Sequence, residues 1–392
     1  MNHSVSLLRT LVGFDTTSHR SNLDLVDWAV ATIEPFGARI RLSHDDTGTK
    51  ANLLASFGPV GPGGIVLSGH SDVVPVEGQH WSSDPFVLTE RDGRLHGRGT
   101  TDMKAFVACC LAAMPAIAAA GLRRPVHIAL SYDEEVGCFG VPGLIADLLA
   151  HEPKPALAII GEPTQMRIGD RHRGFLGFRT NFTGKPAHSS DPSAGASAIY
   201  PASAFVSFLK TLGDEASSGI DATTFNVGRI DGGTAINIVP GACDVVWEFR
   251  PSPDADTAAI RATIETFLAR ATPSDISQAT ELLTRVPPLA PQPDGMAADL
   301  AVTFGALLPS LAMPFGTEAG FFQEVGIPAV VCGPGSIAQA HQPDEWIEIE
   351  QVLAADRFLA RVVQWAAESH PSGFGTSPGR QAQQDGLVLQ EP

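Results

Sequence analysis

The sequence predicts an α/β protein with a mixed, mainly parallel sheet flanked by helices, into which a smaller two-layer α+β unit is inserted. Helix-like and strand-like patterns alternate over residues 1–168 and again after residue 287. Between them, strands surround two helical patterns. The 392 residues, 44% of them hydrophobic and 18% charged, are enough for two domains with substantial cores. We therefore predict a discontinuous larger domain, residues 1–168 and 287–370, and an inserted domain, residues 169–286.

The predicted elements follow from the spacing of apolar residues along the chain. In the larger domain, helices are predicted at residues 7–11, 23–36 and 103–120, and strands at 39–42, 52–57, 65–68, 127–131, 156–160 and 327–332. In the insertion, strands are predicted at 175–182, 223–230 and 244–249, with helices at 196–212 and 254–270. Residues 371–392 are polar and rich in glycine and proline, which predicts a disordered tail.

Composition excludes several classes of protein. A net charge of −17 without clustered lysine or arginine argues against nucleic acid and anionic membranes as partners. No uninterrupted run of about twenty apolar residues predicts a membrane span. The five cysteines lack Cys-x-x-Cys spacing, which indicates reduced, buried thiols. With no evident secretory signal at the N-terminus, these features predict a cytoplasmic protein.

The stretch IVLSGHSDVVP is predicted to be a buried strand that ends in two polar residues. Residues 65–68 form its apolar part, and His70 and Asp72 lie on the loop at its end. Ligands bind at this edge of open α/β sheets. Taken alone, a His-x-Asp pair is more typical of a hydrogen-bonded histidine than of a ligand. The functional interpretation therefore depends on residues further along the chain.

A set of histidines and carboxylates follows the predicted strands or begins a helix: His70, Asp102, Glu134, Glu135, Glu162 and His341. A parallel sheet would bring them to one edge. Mixed nitrogen and oxygen ligands suit zinc, cobalt or manganese, whereas calcium prefers oxygen alone and structural zinc prefers thiolates. The set exceeds what one tetrahedral ion needs, which predicts two ions bridged by a carboxylate and a water.

The adjacent acids Glu134 and Glu135 can divide two tasks. One can bind metal while the other faces the bridging water as general base, because consecutive side chains point in different directions. Taken alone, the sequence DEE after a strand is more typical of a solvated acidic turn. Its place among the other strand ends favours the catalytic interpretation.

Five motifs, SGHSDVVP, GRGTTDMK, SYDEEVG, IGEPT and AHQPDEW, occur in this order. Over residues 5–368 the chain resembles the zinc-dependent aminoacylase and carboxypeptidase family of metallopeptidases, which has an inserted dimerisation domain. The resemblance implies a di-zinc exopeptidase-like fold and two Zn²⁺ ions, for which Co²⁺ can substitute. It also implies a cis peptide after Asp102.

The resemblance assigns a role to each residue of the set. It implies that His70 and Glu162 hold one ion, Glu135 and His341 hold the other, and Asp102 bridges them. The resemblance also implies that Glu134 is the general base and that Asp72 is the carboxylate that orients the His70 ring. The mechanism it implies is attack of an activated water on an amide carbonyl.

Three residues of the insertion match family positions that act on the substrate. His188 in TGKPAHSSDP matches a histidine that reaches into the partner subunit's active site and stabilises the oxyanion. Asn237 in GGTAINIVP and Arg250 in WEFRP match positions that bind the substrate α-carboxylate, to which a guanidinium is well suited. Without the motif, His188 is a loop histidine and Arg250 an edge residue. The resemblance implies a homodimer.

Within the family, FGTEAGFFQEVG together with GEPT and HQPDEW is most similar to the acetylornithine deacetylase branch. This similarity implies hydrolysis of the small molecule N2-acetyl-L-ornithine to L-ornithine and acetate, a step of arginine biosynthesis. The alternatives are a broader N-acyl-amino-acid amidohydrolase, a succinyl-diaminopimelate desuccinylase, and a relative that binds ligand without hydrolysis. Glu318 is predicted to bind the distal ammonium of the substrate; the alternative is an acid favoured by a helix N-terminus.

Overall fold

A computed structural model describes residues 2–215 and 222–369; the tail predicted at 371–392 lies outside the described residues. The first half contains α1 (His3–Val12), α2 (Leu23–Ile33), β1 (Arg39–His44), β2 (Ala51–Phe57), β3 (Ile65–His70), β4 (Thr89–Arg91), β5 (Arg94–His96), α3 (Lys104–Ala119), β6 (Val126–Ser131), α4 (Val141–His151), β7 (Leu157–Pro163) and β8 (Arg167–His172). The second half contains β9 (Phe175–Thr183), α5 (Ile199–Glu215), β10 (Thr224–Gly232), β11 (Ala242–Arg250), α6 (Thr257–Ala271), β12 (Ser277–Val286), α7 (Met296–Thr303), β13 (Leu307–Met313), α8 (Ala319–Glu324), β14 (Ala329–Gly333), β15 (Trp346–Glu348) and α9 (Ile349–Ala367).

An eight-stranded sheet in the order β1-β2-β6-β3-β7-β14-β8-β13 forms the centre of the larger domain. Its central strands β6, β3, β7 and β14 run parallel to one another, while β2 runs antiparallel to both of its neighbours, β6 and β1. Helices α1, α2, α3 and α9 contribute to the core on one face, and α4 and α8 to the core on the other. The predicted class, a mixed and mainly parallel sheet flanked by helices, is confirmed.

Helix α3 packs closely against the strand that carries Glu162. Its sequence KAFVACCLAAMPAIAA is apolar on nearly every face, as expected for a helix buried between a sheet and other helices. Gly161 makes this approach possible, because a Cβ at that position would lie 2.0 Å from the ring of Phe106. The strand end and the beginning of α3 are thereby brought together.

The insertion is an antiparallel sheet in the order β10-β11-β9-β12, with α5 and α6 packed on it. Strand β12 was not among the predicted strands, because most of its side chains are exposed and it lacks an apolar run. The predicted boundary at residue 169 falls within β8, which belongs to the larger sheet. We therefore place the start of the insertion at β9.

Two further features bear on the predictions from composition. All five cysteines are buried and free of disulfides. In the stretches 2–215 and 222–369, the helices are too short or too polar to cross a bilayer.

Candidate metal centre

The carboxyl ends of three parallel strands meet at one edge of the large sheet. His70 is the last residue of β3, and Glu162 lies near the end of β7. Glu134 and Glu135 follow β6 on a turn in which Asp133 has a positive φ of 56°. The parallel register of β3 with both neighbours brings these side chains together.

Two groups of side chains at this edge have the spacing of metal ligands. The first is His70, Asp102 and Glu162; the second is Asp102, Glu135 and His341. Within each group the candidate ligand atoms all lie within 4.8 Å of one another. The structure thus brings together the five residues predicted as metal ligands.

Asp102 presents one oxygen to each group. Its Oδ1 lies 3.2 Å from Nε2 of His70, and its Oδ2 lies 3.2 Å from Nε2 of His341. Glu162 Oε1 is 3.7 Å from the His70 nitrogen, and Glu135 Oε2 is 3.0 Å from the His341 nitrogen. This is the arrangement expected of a carboxylate that bridges two cations.

The charges of the two groups indicate that cations belong there. Burial raises the pKa of Glu162 well above its ordinary value, and the Asp102 carboxylate raises it further. Burial and Asp102 also raise the pKa of Glu135, to about 7, while hydrogen bonds to Asp102 and Glu135 raise the pKa of His341 to about 10. Divalent cations held by the same atoms would relieve this repulsion between buried acids. The donor set fits a centre for two first-row transition-metal ions.

Asp72 supports both His70 and the acidic turn. The Nδ1–H of His70 donates to the backbone carbonyl of Asp72 at 2.9 Å, which leaves Nε2 directed at Asp102. The Asp72 carboxylate is 3.5 Å from the same Nδ1 and accepts hydrogen bonds from Ser18 and from the backbone N–H groups of Glu134 and Glu135. Asp72 therefore also fixes the turn that carries those two acids.

Glu134 lies beside the two groups without belonging to either of them. Burial raises the pKa of Glu134 well above its ordinary value; His70 opposes this shift and Glu135 adds to it. The Cys138 thiol is 3.6 Å from its Oε1. A carboxylate with a raised pKa at this position is suited to accept and return a proton.

Comparison with known proteins supports the same interpretation. A family model described as Peptidase family M20/M25/M40 matches residues 66–365. The chain belongs to this family. The resemblance inferred from the five motifs is thereby confirmed, and M20 enzymes are metal-dependent hydrolases.

Individual relatives match over most of their length. An acetylornithine deacetylase of Myxococcus xanthus is 37% identical over 371 residues, which cover 91% of this chain and 95% of that protein. An acetylornithine deacetylase of Pasteurella multocida (strain Pm70) is 32% identical, with 90% and 94% covered. A Bacillus subtilis protein described as a dinuclear metal-binding peptidase of the M20 family has a similar fold, with a TM-score of 0.68, 14% identity, and 92% and 96% of the two chains covered.

The three predicted residues of the insertion lie at two separate ends of its sheet. His188 and Asn237 are exposed on neighbouring loops, since His188 forms a bridge with Ile238 and the Asn237 carbonyl accepts from the Ser189 backbone. Arg250 ends β11 at the opposite end, where it pairs with Glu248 at 3.0 Å. These positions leave the roles of the three residues as predictions about a substrate complex.

Glu318 is fully buried immediately before α8. Its carboxylate accepts hydrogen bonds from Ser68, at 2.7 Å, and from Ser131. Burial raises the pKa of Glu318, and the two serines oppose that rise. Both carboxylate oxygens are thus engaged by the protein in this conformation, and contact with a substrate ammonium stays a prediction.

Sequence reasoning did not assign three further residues at this edge: Gln79, Arg98 and Glu345. Glu345 and Arg98 are charged and almost fully buried, each with 1% of its side chain exposed. Both lie within motifs that were recognised for their ligands, Arg98 four residues before Asp102 and Glu345 four residues after His341. Arg98 and Glu345 could have been identified from these motifs, because each is a second charged residue in a motif that the metal ligand alone does not explain.

Proposed function

We propose that this protein hydrolyses N2-acetyl-L-ornithine to L-ornithine and acetate, as a cytoplasmic step of arginine biosynthesis. The observation that carries the proposal is the pair of ligand groups that share Asp102, with the carboxylate of Glu134 beside them and in neither group. The substrate assignment is supported by the relatives from Myxococcus xanthus and Pasteurella multocida, which are named acetylornithine deacetylases. We propose Zn²⁺ as the metal at both positions, with Co²⁺ as a substitute.

Side chains of the protein transfer the proton and orient the substrate. When bound, the two ions supply Lewis-acid polarisation of the amide carbonyl and increase the acidity of the attacking water. Glu134 accepts the proton of that water and later returns it to the leaving amine. Arg250 holds the α-carboxylate of the substrate by two parallel hydrogen bonds, and Asn237 of the partner subunit binds the same carboxylate. His188 donates a hydrogen bond to the oxyanion of the tetrahedral intermediate.

The geometry of the insertion supports a homodimer in which His188 acts on the partner subunit. Arg250 lies at the end of the sheet that joins the larger domain, because the backbone N–H of Gly174 donates to the carbonyl of Pro251. His188 and Asn237 lie beyond the other end of β11. The length of this strand, at about 3.4 Å per residue, places them roughly 27 Å from Arg250. A second copy of the chain can bring His188 and Asn237 to a site that their own subunit keeps distant.

Removing the metal is expected to abolish acetate release. Dialysis against a chelator should reduce hydrolysis of N-acetylornithine to background, and added Zn²⁺ or Co²⁺ should restore it, because the ions supply the polarisation of the carbonyl and the acidity of the attacking water. Circular dichroism of the dialysed protein serves as the control for folding. Full activity in a folded protein freed of metal would contradict the proposed mechanism.

A panel of N-acyl amino acids distinguishes the proposed substrate from its alternatives. We expect kcat/KM for N-acetylornithine to exceed that for N-acetylmethionine by about tenfold or more, since a site that binds the distal ammonium of ornithine leaves its polar groups unpaired with methionine. Equal rates on the two would indicate a broader aminoacylase. Faster cleavage of succinyl-diaminopimelate would indicate a desuccinylase, and zinc binding without hydrolysis of any substrate would indicate a non-catalytic relative.

Replacing Glu318 with glutamine tests its predicted contact with the substrate ammonium. If the carboxylate binds the ammonium, Glu318→Gln raises KM for N-acetylornithine by about tenfold or more and leaves N-acetylmethionine unaffected, because only the first substrate carries the charge. Equal losses on both substrates would instead assign Glu318 to holding β3 and β6 through Ser68 and Ser131. Steady-state kinetics on the two substrates provide the measurement, and wild-type protein assayed in parallel is the control.

A further inference from the structure

Glu345 holds the loop that carries Asp102. Its carboxylate accepts hydrogen bonds from the backbone N–H groups of Gly99 at 2.9 Å, Thr101 at 2.8 Å and Asp102 at 3.1 Å. Gly99 has a φ of 79°, a conformation that favours glycine and turns successive N–H groups toward one acceptor. The position of the bridging aspartate is therefore set by a carboxylate from another part of the chain.

Arg98 connects Glu345 to a second loop. One terminal nitrogen of its guanidinium donates to Glu345 at 2.8 Å, and the other donates to the side-chain oxygen of Gln79 at 2.6 Å. The guanidinium carbon lies 5.0 Å from the centre of the Trp81 ring. Because the charge of Arg98 is matched by Glu345, both groups can remain buried.

Gln79 completes the connection to the second metal ligand. Its amide nitrogen donates to the backbone carbonyl of His341 at 3.0 Å, and its oxygen also accepts from the indole N–H of Trp81 at 3.1 Å. His341 itself has a positive φ of 63° and a half-exposed side chain, so its backbone needs external support. Gln79 and Glu345 thus hold His341 and Asp102 from opposite ends of one hydrogen-bonded chain.

We propose that Gln79, Arg98 and Glu345 form a positioning unit that holds Asp102 and His341 at the separation needed to bind the second ion. Gln79 and Glu345 reach His341 and Asp102 through hydrogen bonds to the backbone of these ligands, with Arg98 between them. The inference rests on the proposed function insofar as Asp102 and His341 bind metal. Loss of an outer partner of a metal ligand lowers metal affinity by about 10–100-fold.

The decisive variant is Gln79→Ala, because Gln79 is half-buried on a loop and its loss leaves the Arg98–Glu345 pair intact. Competition with a chromophoric chelator would measure the two zinc dissociation constants. We expect Gln79→Ala to weaken binding of the second ion, whose group contains His341, by about tenfold or more. The affinity for the first ion should stay near its wild-type value. Glu345→Gln is expected to weaken both ions, because it acts on Asp102, which both groups share.

Glu350→Gln is the matched control, since Glu350 is an exposed acid that pairs with Arg357 at 2.7 Å and belongs to neither ligand group. It should leave both zinc affinities unchanged. Wild-type zinc affinities in folded Gln79→Ala and Glu345→Gln proteins, checked by circular dichroism, would overturn the proposed positioning unit. A wild-type protein that binds zinc but does not hydrolyse N-acetylornithine would refute the proposed substrate. The zinc affinities of the variants would still test the positioning unit. A wild-type protein that binds no zinc would overturn both.

Discussion

Replacing Glu134 with glutamine is expected to lower kcat for N-acetylornithine by about 10²–10⁴-fold, the usual contribution of a positioned general base. Glutamine keeps the shape of the side chain but cannot accept a proton from water. Glu134 lies outside both ligand groups, so the variant should retain two zinc ions. KM should change little, because the proton transfer occurs after the substrate binds.

The neighbouring acid provides the matched control for this experiment. Glu135→Gln removes a residue of the second ligand group, so we expect zinc content and kcat to fall together. Metal analysis after gel filtration and steady-state kinetics on both proteins separate the roles of base and ligand. A Glu134→Gln protein that hydrolysed N-acetylornithine at the parental rate would remove Glu134 from the mechanism. Loss of zinc from that variant would assign it as a ligand instead.

The sequence was most informative where residues follow parallel strands. His70, Glu162 and the acidic turn after β6 each come directly after an apolar run, and parallel pairing brings such positions to one edge. The ligand groups could therefore be inferred before their distances were known. Asp102 and His341 lie outside the strands. Their place in the same site was indicated only by the whole set of histidines and carboxylates and by the motifs around them.

The supporting contacts could not be predicted, because they depend on long-range geometry. Glu345 contacts the backbone N–H of Asp102 across 243 positions of sequence, and a backbone donor carries no residue-specific signal. The three groups that donate hydrogen bonds to the Asp72 carboxylate, from Ser18, Glu134 and Glu135, cannot be read from a His-x-Asp pattern either. Strand β12 was missed for a different reason, since an exposed edge strand has neither an apolar run nor strict alternation. Local patterns thus indicated the candidate metal ligands but not the contacts that support them.

Replacing His188 with alanine is expected to lower kcat by about 10²–10³-fold, the usual cost of losing one oxyanion donor. Zinc content should not change, because His188 belongs to neither ligand group. The exposed His151 on α4 provides a matched histidine-to-alanine control that should retain full activity. A His188→Ala protein with wild-type kcat would exclude His188 as the oxyanion donor.

Mixed dimers show whether His188 acts on its own subunit or on the partner. Co-expression of His188→Ala and Glu134→Ala chains with different tags allows the heterodimer to be isolated. If His188 acts on the partner, one of the two sites in that heterodimer has both an intact Glu134 and an intact His188, so about half of wild-type activity per dimer should return. If His188 acts within its own subunit, each site lacks one of the two residues and the heterodimer stays inactive. Restored activity would also require that the β9–β12 insertion pairs with a second copy, since neither chain alone contains a complete site.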